Sequence, residues 1–294
     1  VTENSSAQGN HYERGTTVMG YPGMRDSTLQ SHYESVERVI TVMRNQLDQP
    51  MTLHQMARIG FASPYHFSRT FREVTGVPPV QFLYALRLDQ AKRLLTETQK
   101  KVIDICYEVG YTSVGTFSRR FADVLGVSPV RFRKLIDNRT KPSPAATGNG
   151  RGQTHTGIRV EGHVTAPSDF RGAIAVGLFH TRIPQGQPVS CAVIEDGGAF
   201  ELEAVPQGSY YLFAVGLVNP SLSSLSYEHG NALRAGGQRL RIFRNAVHGF
   251  TSLQLRPPSP FDPPLLLMLP AQNLACRLPK YSAAAKPGKI EKLT

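Results

Sequence analysis

Ser63-Pro64-Tyr65-His66-Phe67-Ser68-Arg69-Thr70-Phe71-Arg72 is the stretch on which the fold turns. Ser63 offers an N-cap oxygen and Pro64 takes the first helical position, where its missing N–H would go unpaired anyway, so a helix opens here. Phe67, Phe71 and Val74 follow at i, i+4 and i+7 and mark a buried stripe. The opposite face carries Tyr65, Ser68, Arg69 and Arg72. That surface is polar and cationic on a rigid rod, as a helix inserted in a DNA major groove requires. An ordinary amphipathic helix with a solvated outer face satisfies the same pattern, so the choice between the two needs a second observation.

A repeat supplies it. Ser113-Val114-Gly115-Thr116-Phe117-Ser118-Arg119-Arg120-Phe121 lies fifty residues on, and aligning residues 52–82 with 102–132 gives 12 identities in 31 pairs. The matches include Gly60/Gly110, Ser63/Ser113, Phe67/Phe117, Phe71/Phe121 and Gly76/Gly126. Caps, stops and core positions are retained, but so are Ser68/Ser118 and Arg69/Arg119, which a core does not need. A duplicated groove-reading unit accounts for that better than a duplicated helical hairpin.

Outward from the two stretches, each unit acquires a first helix. Thr52-Leu53-His54-Gln55 reads as a capping box opening a helix that runs to Ile59 and closes at Gly60. Its counterpart spans about Ile103 to Val109 and stops at Gly110. Gly76-Val77-Pro78-Pro79 and Gly126-Val127-Ser128-Pro129 end the second helices, since glycine permits a left-handed cap and proline cannot continue a helix. Val80 to Thr96 returns to helical spacing, and roughly 17 residues at 1.5 Å each give a rod of about 25 Å. With the width of the units, that rod can hold their outer helices about one DNA turn, ~34 Å, apart. Ahead of them, Val36, Val39, Ile40, Met43 and Leu47 predict an amphipathic helix ending before Pro50.

Residues 36–135 resemble the DNA-binding domain of the AraC/XylS family of bacterial transcription regulators. The resemblance is carried by Ile103-Asp104-Ile105-Cys106-Tyr107-Glu108-Val109-Gly110-Tyr111, Phe117-Ser118-Arg119-Arg120-Phe121, Gly126-Val127-Ser128-Pro129, Phe132-Arg133, and Arg87-Leu88 with Ala91 and Leu94-Leu95. It implies seven helices with two helix-turn-helix units, double-stranded promoter DNA as partner, a contact with RNA polymerase, and a small-molecule effector. It also implies base contacts from the exposed face near the start of each outer helix. These fall on Tyr65, Ser68 and Arg69, flanked by His66 and Arg72, and on Gly115, Thr116, Arg119 and Arg120. Arg69 is the foremost candidate, because its fork can pair bidentately with guanine O6 and N7. Gly115 has no side chain with which to read a base, so the second unit is expected to supply mainly backbone affinity.

Charge agrees with this reading in its distribution. Residues 52–140 carry 14 basic and 7 acidic side chains, against 4 and 6 in residues 1–51 and 15 and 9 in residues 141–294. The middle segment thus has a net charge of +7 out of +11 for the chain, and neutralising phosphates releases counterions. Cys106, Cys191 and Cys276 are odd in number and far apart, which argues for a reducing compartment, no disulfide framework and no zinc spacing. No apolar run approaches the ~20 residues of a membrane span, and no secretory signal pattern opens the sequence. A cytoplasmic protein with no membrane contact is expected, and no cofactor or metal is implied.

The expected plan is multidomain α and β: a disordered tail (1–28), an all-α double helix-turn-helix domain (29–140), a linker (141–154), an antiparallel β-sandwich (155–280) and a disordered tail (281–294). The linker assignment rests on the Pro, Gly and Ser content of residues 141–152. Beyond it the period changes to two at Ile158-Arg159-Val160-Glu161-Gly162-His163-Val164. That run, with Gly198-Ala199-Phe200-Glu201-Leu202 and Val205-Pro206-Gln207-Gly208-Ser209-Tyr210-Tyr211-Leu212, resembles the transthyretin-like or carboxypeptidase-regulatory-like β-sandwich. Ligand sensor, partner or dimer module, and enzyme all remain open for this half. The Tyr-Arg-Gly-Ser ending of transthyretin-like hydrolases is absent, as is a Gly-x-Ser-x-Gly nucleophile motif, so no enzyme is expected. Arg234, Arg239, Arg241 and Arg244 either bind an acidic ligand or lie on an exposed strand face. The proline-dense run Arg256–Pro264 reads as an extended segment lining a pocket or an interface. As an alternative to the regulator, the chain could be a ligand- or partner-binding sandwich protein whose helical half is structural.

Overall fold

The computed structural model describes residues 26–139, 157–217 and 232–267. Most of both expected tails and the whole expected linker lie outside them. Seven helices come first: α1 (Asp26–Asn45), α2 (Leu53–Ile59), α3 (Pro64–Thr75), α4 (Pro79–Glu97), α5 (Val102–Glu108), α6 (Val114–Leu125) and α7 (Pro129–Arg139). Because α1 already begins at Asp26, residues 26–28 belong to a helix rather than to the tail.

Local chemistry explains the boundaries. Thr52 and Gln55 form the reciprocal capping box of α2, satisfying two N–H groups that would otherwise be orphaned. The Ser63 and Ser113 hydroxyls accept from the His66 and Thr116 amides, each at 3.4 Å. Gly76 and Gly126 close α3 and α6 at φ 81° and 79°, a left-handed conformation that costs other residues a Cβ clash.

The two units pack alike. Phe67, Phe71 and Phe82 meet in series with ring centroids 5.6 and 5.4 Å apart. Phe117, Phe121 and Phe132 do the same at 5.7 and 5.6 Å. Such ring pairs each contribute about 0.5–1.5 kcal/mol beyond their buried area. Between the units, α4 is buried on nearly every side, down to Arg87 and Lys92. A helix surrounded in this way needs no single apolar stripe. Arg87 donates from Nη2 to the Gln49 carbonyl at 2.8 Å, tying α4 to the α1–α2 connection.

The repeat is not uniform. The amides of Gly60 and Val109 are the matching helix-ending donors, bonding to the Met56 and Ile105 carbonyls. The first helices are therefore offset by 49 residues and the second by fifty, and the turn of the second unit is one residue longer. The structural counterpart of Gly110 is Phe61, not Gly60. Both occupy the left-handed region, at φ 83° and 54°. Expecting Gly60 to match Gly110 was an error of register. Gly60 ends α2 in right-handed geometry at φ −79° and is kept small by Phe67 and Ser35, which crowd its Cβ position.

Ten strands follow: β1 (Ile158–Thr165), β2 (Ala173–Phe179), β3 (Gln185–Gly186), β4 (Ser190–Glu195), β5 (Gly198–Val205), β6 (Gly208–Leu217), β7 (Arg234–Phe243), β8 (Ala246–His248), β9 (Ser252–Gln254) and β10 (Leu266–Leu267). They form a five-stranded sheet β4-β2-β6-β7-β8, a three-stranded sheet β5-β1-β9 and the pair β10-β3. Val160, Val164, Phe200, Leu202 and Leu253 of the three-stranded sheet share one core with Ile174, Val176, Leu212, Leu240 and Ile242 of the five-stranded one. The alternation expected for β1 holds, with Val160 and Val164 buried and Arg159, Glu161 and His163 exposed. Pairings β1–β9 and β3–β10 run parallel, so the strands are not antiparallel throughout as expected. The reason is that β9 and β10 are short returning segments rather than hairpin arms.

The halves are joined rather than strung apart. Ile183, between β2 and β3, and Leu266 of β10 are buried within the helical core. Lys92 donates to the Leu265 carbonyl at 3.2 Å. The proline-dense run lies at this joint: Phe261 meets the Tyr33 ring at 5.3 Å, and Arg256 grips Asp262 through two hydrogen bonds of 2.9 and 2.6 Å.

Candidate nucleic-acid interface

The outer helices α3 and α6 rest on the phenylalanines beneath them and turn a polar face outward. Tyr65 is 81% exposed, and His66, Arg69, Gly115, Thr116 and Arg119 are exposed while Ser68 is half-buried. Arg69 Nε pairs with Glu73 Oε1 at 3.0 Å, one turn along α3, with 66% of the arginine side chain open to solvent. An ion pair so exposed contributes little, about 0–1 kcal/mol.

One of the expected contact residues, Arg120, faces elsewhere. Arg120 lies with its guanidinium carbon 4.0 Å from the Tyr84 ring centroid, on the flank of α6 towards α4. Its counterpart at the offset of fifty is Thr70, which is buried. That flank is thus an inner one in both units. Arg72 is exposed but lines, with Arg120, a cleft against the β half. Arg120 is turned from the outer face by this placement, about 100° round the helix from Arg119, whereas Arg72, three residues on from Arg69, stays on the same side of α3 as Arg69.

Beside Arg120, the Tyr111 hydroxyl is buried without a hydrogen-bond partner of good geometry. Burial pushes its pKa up to about 12, against the opposing pull of the Arg120 and Arg87 guanidinium groups. Desolvation also raises Cys106, which is fully buried.

Sequence reasoning passed over Phe61. It is 83% exposed in the turn between α2 and α3, with the Arg38 guanidinium 4.9 Å from its ring centroid. The false match of Gly60 with Gly110 concealed it. His32 of α1 also reaches this side, its ring 5.5 Å from that of His66. In the β half, Arg239 and Arg241 lie on an exposed strand face, Arg244 is exposed in the β7–β8 turn, and Arg234 is half-buried at the joint. Among the described residues no group of three or more His, Cys, Asp or Glu side chains could hold a metal ion. No helix among them is long and apolar enough to cross a membrane.

Residues 56–135 match the family model of a helix-turn-helix domain. The chain is 32% identical over 72 residues to the bifunctional transcriptional activator/DNA repair enzyme AdaA of Bacillus subtilis, an overlap of 24% of this chain and 34% of that protein. It is 30% identical over 76 residues to the transposon Tn10 TetD protein of Escherichia coli, covering 26% of this chain and 55% of the other. The chain therefore spans about a third and about half of these relatives' lengths. Among solved structures, the DNA-binding domain of the global transcriptional factor AdpA, in complex with a target DNA, superposes with TM-score 0.35 at 26% identity, over 37% of this chain and 98% of that one. An AraC-type regulator from Chromobacterium violaceum gives 0.34 at 22%, over 39% and 99%. The helical half thus contains a helix-turn-helix domain.

Proposed function

We propose that the protein binds double-stranded promoter DNA and regulates transcription, with α3 and α6 entering two successive major-groove segments. The observation that carries this is the pair of serine-capped, glycine-closed helices holding Arg69 and Arg119 exposed above buried phenylalanine pairs. The helix between them supports the spacing. Its 19 residues make a rod of about 28 Å, which with the bodies of the units suits a separation of ~34 Å. Tyr65, His66, Ser68 and Arg69 serve the first segment, and Gly115, Thr116 and Arg119 the second, with Arg72 and Arg120 at the margin.

The β half senses a ligand or mediates association, and the bound protein contacts RNA polymerase. A transthyretin-like arrangement is the reading of that half which its β1, β5 and β6 runs support, each being a strand where that resemblance expects one.

The test is binding of labelled duplexes, drawn from a selected pool, across a salt series. Affinity should fall steeply with salt as phosphate counterions are released. Arg69→Ala should relax preference at one base pair, costing about 1–3 kcal/mol of discrimination. Absence of duplex binding at low salt would return the helical half to a structural role in a ligand- or partner-binding protein.

A further inference from the structure

The cleft between the halves has a volume of about 530 Å³, within the usual range of roughly 300–1,000 Å³ for small-molecule sites. Its walls come from α3, α4 and α6 on one side and from the β2–β3 connection and β6 on the other. Arg72, Arg120, Arg182 and His180 line it, and no carboxylate does. Two of the arginines are held by rings rather than by acids. Arg120 lies over Tyr84 at 4.0 Å, and Arg182 over Tyr211 at 5.6 Å. A guanidinium stacked by its face keeps its N–H edge available for a planar oxyanion. Arg72 makes no ion pair among the described residues. Apolar side chains, Leu88 and Ile183 among them, complete the floor.

We infer that this cleft binds a small organic anion carrying carboxylate or phosphate groups, and that the anion is the effector. Three arginines line a concavity with no counter-charge among its lining residues, and an anion supplies that charge. A cleft of this size takes a metabolite, not a duplex. It also lies by Gly76 at the C-terminal end of α3, whereas Tyr65 and the outward face occupy the opposite end. The occupant would touch α3 through Arg72, α6 through Arg120 and the β half through Arg182. It would therefore fix both DNA-facing helices against the β half and bias their relative placement. This regulatory step rests on the DNA-binding reading; the binding of the anion does not.

The experiment titrates the full chain, without DNA, with citrate and with pyrophosphate at constant ionic strength by calorimetry. Saturable binding of one anion per chain is expected, and the better of the two probes identifies a carboxylate or a phosphate ligand. Arg182→Ala should weaken it tenfold or more. Arg241→Ala, which removes an exposed charge on β7 outside the cleft, should leave it unchanged. Failure of both probes to bind saturably, or equal weakening by Arg241→Ala, would overturn the inference. Duplex binding is measured separately. Arg182→Ala should leave its salt dependence unaltered; a log–log slope reduced by about one would make Arg182 a DNA phosphate contact and the small-molecule site wrong. Loss of duplex binding in the unsubstituted protein would remove the proposed function while anion binding still stood.

Discussion

Arg120 and Tyr84 join α6 to α4: the guanidinium carbon stands 4.0 Å from the ring centroid, whereas Arg119, next to it in sequence, is exposed. A cation–π contact of this kind, partly shielded from water, is worth about 1–2 kcal/mol. Arg120→Ala should lower stability by about that amount in urea unfolding and leave base preference intact. Arg119→Ala should change stability by less than about 0.5 kcal/mol, as exposed substitutions do. It should instead weaken binding to all duplexes alike.

The two inter-helix turns predict opposite tolerances. Gly110 is left-handed, and a Cβ there would run into the Leu47 carbonyl oxygen and lie 2.8 Å from Arg87 Nη2. Gly110→Ala should therefore cost more than the roughly 1–2 kcal/mol of left-handed strain alone. Phe61, in the equivalent position, already bears that strain and is largely solvated. In Phe61→Gly the strain is relieved, while the contact with Arg38 is lost and the unfolded chain gains freedom, so the net change should stay below about 1 kcal/mol. Urea midpoints of the two variants check both.

Where the sequence could be read, local chemistry was the reason. Ser63, Ser113, Gly76 and Gly126 act through their own neighbours, and each sits in the cap its residue type predicts. The phenylalanine pairs follow from helical spacing alone. The inward flank at Arg120 was legible too, since Thr70 and Arg120 align and a threonine beside two buried phenylalanines is a poor outer residue. What no local rule reveals is the joint. Ile183 and Leu266 look like ordinary strand residues, and their burial in the helical core depends on how two distant halves meet. The one-residue difference between the turns was hidden because two glycines happened to align.

Tyr111 makes a pH prediction. Its folded pKa of about 12 exceeds the unfolded value of about 10. Between these values the folded state holds a proton that the unfolded state has lost. Its contribution is complete below pH 10 and disappears as pH rises towards 12, for a loss of up to roughly 3 kcal/mol. Tyr111→Phe should remove this part of the alkaline decline. At pH 7 it should cost less than about 1 kcal/mol, because the hydroxyl has no well-formed hydrogen bond to lose. Urea midpoints at pH 8, 10 and 11.5 for both proteins isolate the difference, since the other tyrosines are common to them.

Leu266 tests whether the halves stand or fall together. It is 1% exposed and belongs by sequence to the β half, yet its neighbours are those of the helical core. Leu266→Ala should cost about 2–5 kcal/mol, the price of a buried leucine truncated in a core that relaxes only in part. The location of that loss is the sharper reading. If the halves were independent, amide exchange in α4 around Leu83–Leu88 would keep its protection and only β10 would open. Because Leu266 fills space beside α4, protection there should fall by the same free energy as the global stability. Leu240→Ala, cut into the core shared by the two sheets, should open the strands and transmit to α4 only what the joint conveys.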